Sequence, residues 1–325
     1  MKKYILFGMM TALLFSCKKD DNQPSGPNKD NNNILYVIQD NKFNFSFFNT
    51  ALTVTNYGNT FLGKGPYTVL IPDDNAFQKS GYNTTEDVAK EKGMVLTNLV
   101  KYHTLPGQWQ LDKLPFRFNQ PVVTASGTSL FVTHWVHGED TVIVVNGTRV
   151  TALNLPASNG LIQVINTVLN PLVQDKLSDA IAAEPTLTYF NAALQRAGLK
   201  ELLKGDGPLT VFAPSNAAFI AAGFPTTDSI VQTDPAILKN ILQFHMMATR
   251  RFVYDYVLIT DDSNQTRQNM LNSSSTTVNL QNYGNDYNIT ITGAGNLQPA
   301  QVLKSNVLTN NGVLHIIDQV LTENL

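Results

Sequence analysis

The chain carries one pattern twice. Gly65-Pro66-Tyr67-Thr68-Val69-Leu70-Ile71-Pro72-Asp73-Asp74-Asn75-Ala76-Phe77 returns 142 residues later as Gly207-Pro208-Leu209-Thr210-Val211-Phe212-Ala213-Pro214-Ser215-Asn216-Ala217-Ala218-Phe219. The offset holds without a gap from Ser46-Phe47-Phe48-Asn49, matched by Thr188-Tyr189-Phe190-Asn191, to Asn98-Leu99-Val100-Lys101-Tyr102-His103, matched by Asn240-Ile241-Leu242-Gln243-Phe244-His245. A period this long exceeds a solenoid unit and fits a whole globular domain. Two tandem copies of one module are expected, over residues 34–172 and 173–325, with the boundary at Asn170-Pro171.

Each module reads as helices first and strands later, an α+β layout. Leu187, Phe190, Leu194 and Ala197 follow helical spacing, with Gly198 as the stop. Leu209-Thr210-Val211-Phe212-Ala213, between Gly-Pro and Pro, predicts a buried strand. Ser215 or Asn216, and Asp73 or Asp74 in the first copy, are placed to cap the short helix that follows. Residues 235–245 predict a helix that starts at Asp234-Pro235 and turns Ile237, Ile241, Leu242 and His245 to one face. Thr, Val and Ile runs at 129–136, 141–145, 276–280 and 288–292 predict strands, and Asn146-Gly147 predicts a hairpin.

The first block, an aromatic–His pair, and the closing blocks Asn159-Gly160-Leu161-Ile162-Gln163-Val164-Ile165 and Asn311-Gly312-Val313-Leu314-His315-Ile316-Ile317-Asp318 come in the same order in both copies. In that order they resemble the fasciclin (FAS1) domain. Tyr102-His103 matches that family's tyrosine–histidine motif, and Phe244 replaces the tyrosine in copy two. Asn166 stands where copy two has Asp318. The resemblance implies two FAS1-like domains, each a β-sandwich or wedge with helices packed at its side. It also implies extracellular, membrane-tethered proteins of adhesion or ligand binding, with no common catalytic activity. Fold alone does not fix function.

The N-terminus reads as an address. Lys2 and Lys3 precede a short apolar stretch that ends at Leu14-Phe15-Ser16-Cys17, similar to a bacterial lipobox, although Phe15 is unusual there. Residues 1–16 are read as a lipoprotein signal peptide and Cys17, the single cysteine, as the lipidation site. More than one acyl chain at that residue gives stable anchoring. Lys18-Lys19-Asp20-Asp21 resembles the charged export signal of Bacteroidetes surface lipoproteins, which implies an outer membrane anchor facing the cell exterior. Residues 22–33 are rich in Asn, Asp, Pro and Gly and are expected to form a disordered tether, so that 17–33 holds the folded part clear of the membrane by roughly 20 Å. Loss of residues 1–16 removes two lysines and no acid, leaving 21 basic and 25 acidic side chains. That balance gives no basic footprint for nucleic acid, and a single cysteine closes no intrachain disulfide.

Several residues invite chemistry. Tyr102, His103, Phe244 and His245 are candidates for an adhesion surface, as proposed for animal relatives; the simpler reading packs each pair at a helix end, the histidine making one internal hydrogen bond. Trp109 after Pro106-Gly107, and Tyr283 before Gly284, are candidate glycan contacts, because turn aromatics can stack on sugar rings; covering their own cores is the alternative. His134 and His137 are three apart in a strand, point to opposite faces and make a poor metal pair. Residues 58–65 approach a phosphate loop but end in Gly65 where a hydroxyl is needed. Asp140-Thr141-Val142 and Asp228-Ser229-Ile230 resemble short O-glycosylation acceptors. No catalytic residue, metal or cofactor is expected. The leading expectation is a non-enzymatic surface lipoprotein that presents two modules to an extracellular protein or matrix. The alternative is a glycan-binding accessory of an outer-membrane polysaccharide uptake system. The offset grows from 142 to 152 between the histidine and the closing block, where loops that set specificity are expected.

Overall fold

Helix starts are written into the chain by side-chain caps, and the structure uses them. The computed structural model describes residues 32–260, 262–283 and 286–323. In the first copy α1 (Ile34–Asp40) begins where the Asn33 side chain accepts from the Tyr36 N–H. Helix α2 (Ser46–Val54) buries Phe47, Phe48, Ala51 and Leu52. After β1 (Tyr67–Pro72) come α3 (Asp74–Lys79), capped by Asp73, α4 (Thr85–Ala89), capped reciprocally by Thr84 and Asp87, and α5 (Gly93–Tyr102). Strands β2 (Thr104–Pro106), β3 (Arg117–Val123), β4 (Ser129–His137), β5 (Asp140–Val145), β6 (Thr148–Ala157) and β7 (Gly160–Ile165) complete it.

The second copy repeats the order: α6 (Leu177–Ala183), α7 (Thr188–Arg196), β8 (Leu209–Pro214), α8 (Asn216–Ala221), α9 (Thr227–Gln232), α10 (Pro235–Gln243) and β9 (Met246–Met247). It then adds α11 (Val253–Ile259), before β10 (Gln265–Asn269), β11 (Ser275–Tyr283), β12 (Asp286–Gly293), β13 (Ala300–Thr309) and β14 (Gly312–Ile317). Ser215 caps α8, and Asp234 caps α10. One expected face is corrected. Helix α10 ends at Gln243 and turns Leu238 and Leu242 inward, while Ile237 is 57% exposed. The buried stripe runs 238, 241, 242, 245, so Ile237 lies about 100° off it.

The strand order is β2-β1-β7-β6-β5-β4-β3 in one sheet and β9-β8-β14-β13-β12-β11-β10 in the other, one order in two copies. At the centre β1 runs parallel to β7, with Val69 opposite Ile162, and β8 runs parallel to β14, with Val211 opposite Leu314. These strands are buried on both faces, which is why they read as unbroken apolar runs. In copy one, Val69 and Ile71 face the helices, while Leu70 faces the interior of the curled sheet with Leu130, Val132 and Ile143. The result is a mixed α+β fold of two seven-stranded sheets with helices at their sides.

One asparagine per copy locks this arrangement. The Asn159 side chain accepts from the Ile34 N–H and donates to the carbonyls of Phe61 and Gly63. Asn311 accepts from the Leu177 N–H and donates to Leu203 and Gly205. The glycines of the preceding turn are fixed by the same packing. Gly65 and Gly207 have φ of 68° and 69°, and a Cβ at either would collide with the carbonyl of Asn159 or Asn311.

The growth in offset has two sources. Trp109 corresponds to Arg251 at 142, but the hairpin residues Ser129 and Ser275 correspond at 146; the four extra residues accompany α11. The remaining six lie between β12 and β13, where copy one has the tight Asn146-Gly147 turn with φ of 50° and 79°. Replacing Asn159 or Asn311 by alanine strands three buried backbone groups, and we expect each variant to lose about 3 kcal/mol in urea unfolding. An unchanged midpoint and slope would remove the asparagine from this role.

Candidate functional site at the domain junction

The histidines of the repeated motif are internal pins. His103 Nδ1 lies 2.8 Å from the Leu99 carbonyl, and its Nε2 accepts from the Leu169 N–H at 3.1 Å. His245 repeats this with Ile241 and Leu321, both at 2.8 Å. A carbonyl only accepts and an N–H only donates, so each ring is neutral with its proton on Nδ1. Burial lowers the pKa of both rings to about 4, against the pull of the carbonyl. Tyr102 is buried beside His103, donating to the Ser129 carbonyl and accepting from Asn146, and burial raises its pKa to about 12. Phe244 is buried as well. None of these four side chains reaches the surface.

The other sequence-selected residues are scattered. Trp109 is half-buried; its indole N–H donates to the Pro106 carbonyl, and Gln108 and Gln110 line a shallow depression beside it. Tyr283 ends β11, and its side chain lies outside the described residues, as does Cys17. His134 is buried, 2.6 Å from the Leu114 carbonyl, whereas His137 is exposed. Among the described residues no group of three His, Cys, Asp or Glu side chains is arranged to hold a metal.

What the structure does bring together is the two copies. Strand side chains alternate faces. In β4 and β5 the residues Leu130, Val132, Ile143 and Val145 face the core of copy one. Their neighbours Phe131, Val142 and Val144 face copy two, where Phe252, Leu258 and Tyr254 of the α11 segment pack on them with Phe118 and Trp135. A side chain at Gly147 would collide with Phe252.

The centre of this junction is polar and buried. Asp255 on α11 accepts from the Phe252 N–H, from Asn119 Nδ2 at 2.9 Å and from Thr133 Oγ1 at 3.3 Å, the last two belonging to copy one. Asn119 also donates to the Arg250 carbonyl. The Arg250 guanidinium sits 3.6 Å from the Phe131 ring centroid and donates to Thr309, Asn310 and Gly312. Burial pushes the Asp255 carboxyl up and the Arg250 guanidinium down to about 10, while the donors around Asp255 pull its pKa back. On one flank of the seam, Arg149, Thr151 and Asn166 of copy one face Tyr254 and Tyr287 of copy two across a groove of about 610 Å³. The sequence reading missed this junction. Its signal was the two-faced apolar run of β4 and β5, set against the alternating Thr277, Asn279 and Gln281 of β11.

Two copies of one helix-flanked, seven-stranded α+β module define the class of protein. The fasciclin domain family model matches residues 43–171 and again 185–323, so the chain belongs to the fasciclin domain family and carries its domain twice. Over 259 residues, 80% of this chain, it is 26% identical to transforming growth factor-beta-induced protein ig-h3 of Sus scrofa and 27% identical to periostin of Homo sapiens, of which it covers 35% and 28%. The chain thus spans about a third of the length of these relatives. It is 31% identical over 156 residues to immunogenic protein MPB70 of Mycobacterium bovis, covering 46% of this chain and 69% of that one. A solved FAS1 domain pair from the insect cell adhesion molecule fasciclin I is similar over 86% of this chain and 96% of its own, at 19% identity and a TM-score of 0.42. Among the described residues no helix is long and apolar enough to cross a membrane.

Two measurements follow. His103, His245 and the buried His315 all have folded pKa values near 4 against about 6.5 unfolded. The unfolded state therefore binds more protons below pH 6.5, and stability falls as pH drops from 6.5 toward 4. Each ring should remove about 2 kcal/mol between pH 7 and pH 5 in denaturant unfolding, and a flat profile would contradict the neutral pins. Asp255→Ala leaves the Asn119, Thr133 and Phe252 donors unpaired and should cost about 3 kcal/mol. Calorimetry should then resolve two transitions where the parent chain shows one.

Proposed function

We propose that this chain is a non-catalytic surface protein that presents two fasciclin modules, 34–172 and 173–325, as one body to an extracellular protein or matrix. The carrying observation is the junction: α11 of the second module is seated on the outer sheet face of the first, with Asp255 buried between them. A pair held this way offers one fixed contact surface, so binding does not have to order two domains first. Membership of the fasciclin domain family, whose resemblance implies adhesion or ligand binding, supports adhesion as the use of such a pair. The Tyr102-His103 and Phe244-His245 pairs serve that surface from beneath, by holding the modules in shape.

In the same reading residues 1–16 are removed, Cys17 carries the lipid, and 17–33 is the tether that places the pair outside the outer membrane. Cells that make the full chain should retain it in the membrane fraction and bind collagen- or fibronectin-coated plates better than cells lacking it. Cys17→Ala should move at least nine-tenths of the protein to the soluble fraction and abolish the gain in adhesion. Equal adhesion with and without the chain on both coatings would sink the reading.

A further inference from the structure

We propose that the seam between the two modules is a saccharide-binding cleft, with Tyr287 at its centre and Arg149 and Tyr254 on its walls. This goes beyond display to a protein or matrix, and it does not depend on that reading.

The cleft has two chambers. The first, about 610 Å³, lies between β6 and the α11 side of the junction. The second, about 790 Å³, lies between the β4–β5 turn at His137-Gly138 and the Leu258, Asn264 and Asn282 side of copy two. Tyr287 lines both. Each chamber is within the range of roughly 300–1,000 Å³ typical of small-molecule sites. Two depressions that share Tyr287 as a lining residue suit a ligand of linked units better than a single compact one.

The chemistry of the walls selects the class. Tyr254 and Tyr287 stand edge to face with ring centroids 5.6 Å apart, so each ring fixes the other. An aromatic face matches the C–H face of a sugar ring. Asn75, Gln78, Asn166 and Thr151 supply both donors and acceptors to the first chamber, and Asn264, Asn282 and Thr260 do so in the second. A ligand rich in hydroxyls uses both kinds of group. Arg149 is exposed beside Tyr254 and coupled to it electrostatically. Asp73 lines the same chamber as two cations, Arg149 and Lys79, so the field is mixed with one net positive charge, which suits a neutral or sparsely acidic saccharide and falls short of the basic stripe a nucleic acid needs. The first chamber has no Val, Leu, Ile or Met in its lining, which disfavours a lipid tail there, whereas the second adds Val136, Val257, Leu258, Ile259 and Leu280 beside its polar groups.

The walls are also held in place. Tyr254 is the second residue of α11, whose start is fixed by Asp255 and Asn119. Arg149 follows the Asn146-Gly147 turn that packs against Phe252. Neither module alone forms this cleft.

The test is affinity gel electrophoresis of the full chain in gels containing laminarin, xyloglucan, xylan or alginate. We expect retardation by at least one of them. On that polysaccharide Tyr287→Ala and Arg149→Ala should each weaken binding tenfold or more, Tyr287→Phe should bind within twofold of the parent, and Trp109→Ala should leave binding unchanged. Melting temperatures within 2 °C of the parent would show that the variants keep the fold; for a variant that does not, Arg149→Gln and Tyr287→Leu take its place, with the same tenfold loss expected. No retardation in any of the four gels overturns the proposal, as does retardation that survives both alanine variants. Adhesion to collagen or fibronectin that persists in Tyr287→Ala would leave the display reading standing while the cleft is tested separately.

Discussion

Three stretches of chain that are far apart in sequence meet at one amide. Asn159 joins the start of α1, the turn before β1 and the turn before β7, and Asn311 does the same in the second copy. The parallel pairing of β1 with β7 is the longest-range strand contact of the module, and such pairing is costly in chain entropy. The amide closes that loop with three buried hydrogen bonds at its end. The helices can then cover one face of β1 and β7, and the curled antiparallel strands the other. The buried histidine at the end of α5 or α10 ties that helix to the residues just beyond the closing strand, so the module is fastened at both ends of the same strand pair.

Much of this was legible in the sequence because the constraints are local. The double apolar run 209–213, the Ser215 and Asp73 caps, the Asn-Gly hairpin and the Gly198 stop depend on neighbours within a few residues, and each appears where the pattern placed it. The α10 face was misjudged by one position, since Ile237 and Leu238 are equally apolar and only the core decides between them. The junction was not found. Phe131, Val142 and Val144 look like any strand residues until a partner is known, and Asp255, the single acid inside the apolar run 252–259, finds its partners Asn119 and Thr133 only in the other copy. Trp109 and Tyr283 stood out as turn aromatics, whereas Tyr254 and Tyr287 are brought together only by the docking of α11.

The two copies preserve positions more faithfully than residues. Thr68 donates to the Gly107 carbonyl and accepts from the Trp109 N–H, and Thr210 does the same with Thr249 and Arg251. Gln163 donates to the Trp109 carbonyl and accepts from the Asn154 N–H; His315 takes over both tasks with Arg251 and Asn306. An amide and a neutral imidazole both supply the one donor and one acceptor that these two bonds share, and Gln163 donates in addition to Asn154 Oδ1. Asn154 and Asn306 both hold a left-handed backbone, φ 54° and 59°, at the bulge that bends the sheet. Divergence is concentrated instead where the copies touch: at Trp109 against Arg251, at α11, and on the outer faces of β4 and β11.

That asymmetry keeps the contact between the modules from repeating. A head-to-tail contact between like units normally leaves a donor surface at one end and an acceptor at the other, and so permits indefinite growth. Here the acceptor is the apolar outer face of β4 and β5, and the donor is α11. The first module has no α11, and the corresponding strand of the second presents threonine, asparagine and glutamine in place of phenylalanine and tryptophan. Neither end of the pair can recruit another copy by the same contact. The seam is thus a contact made once, between two unlike faces, and a further module would need a different kind of contact to join the pair.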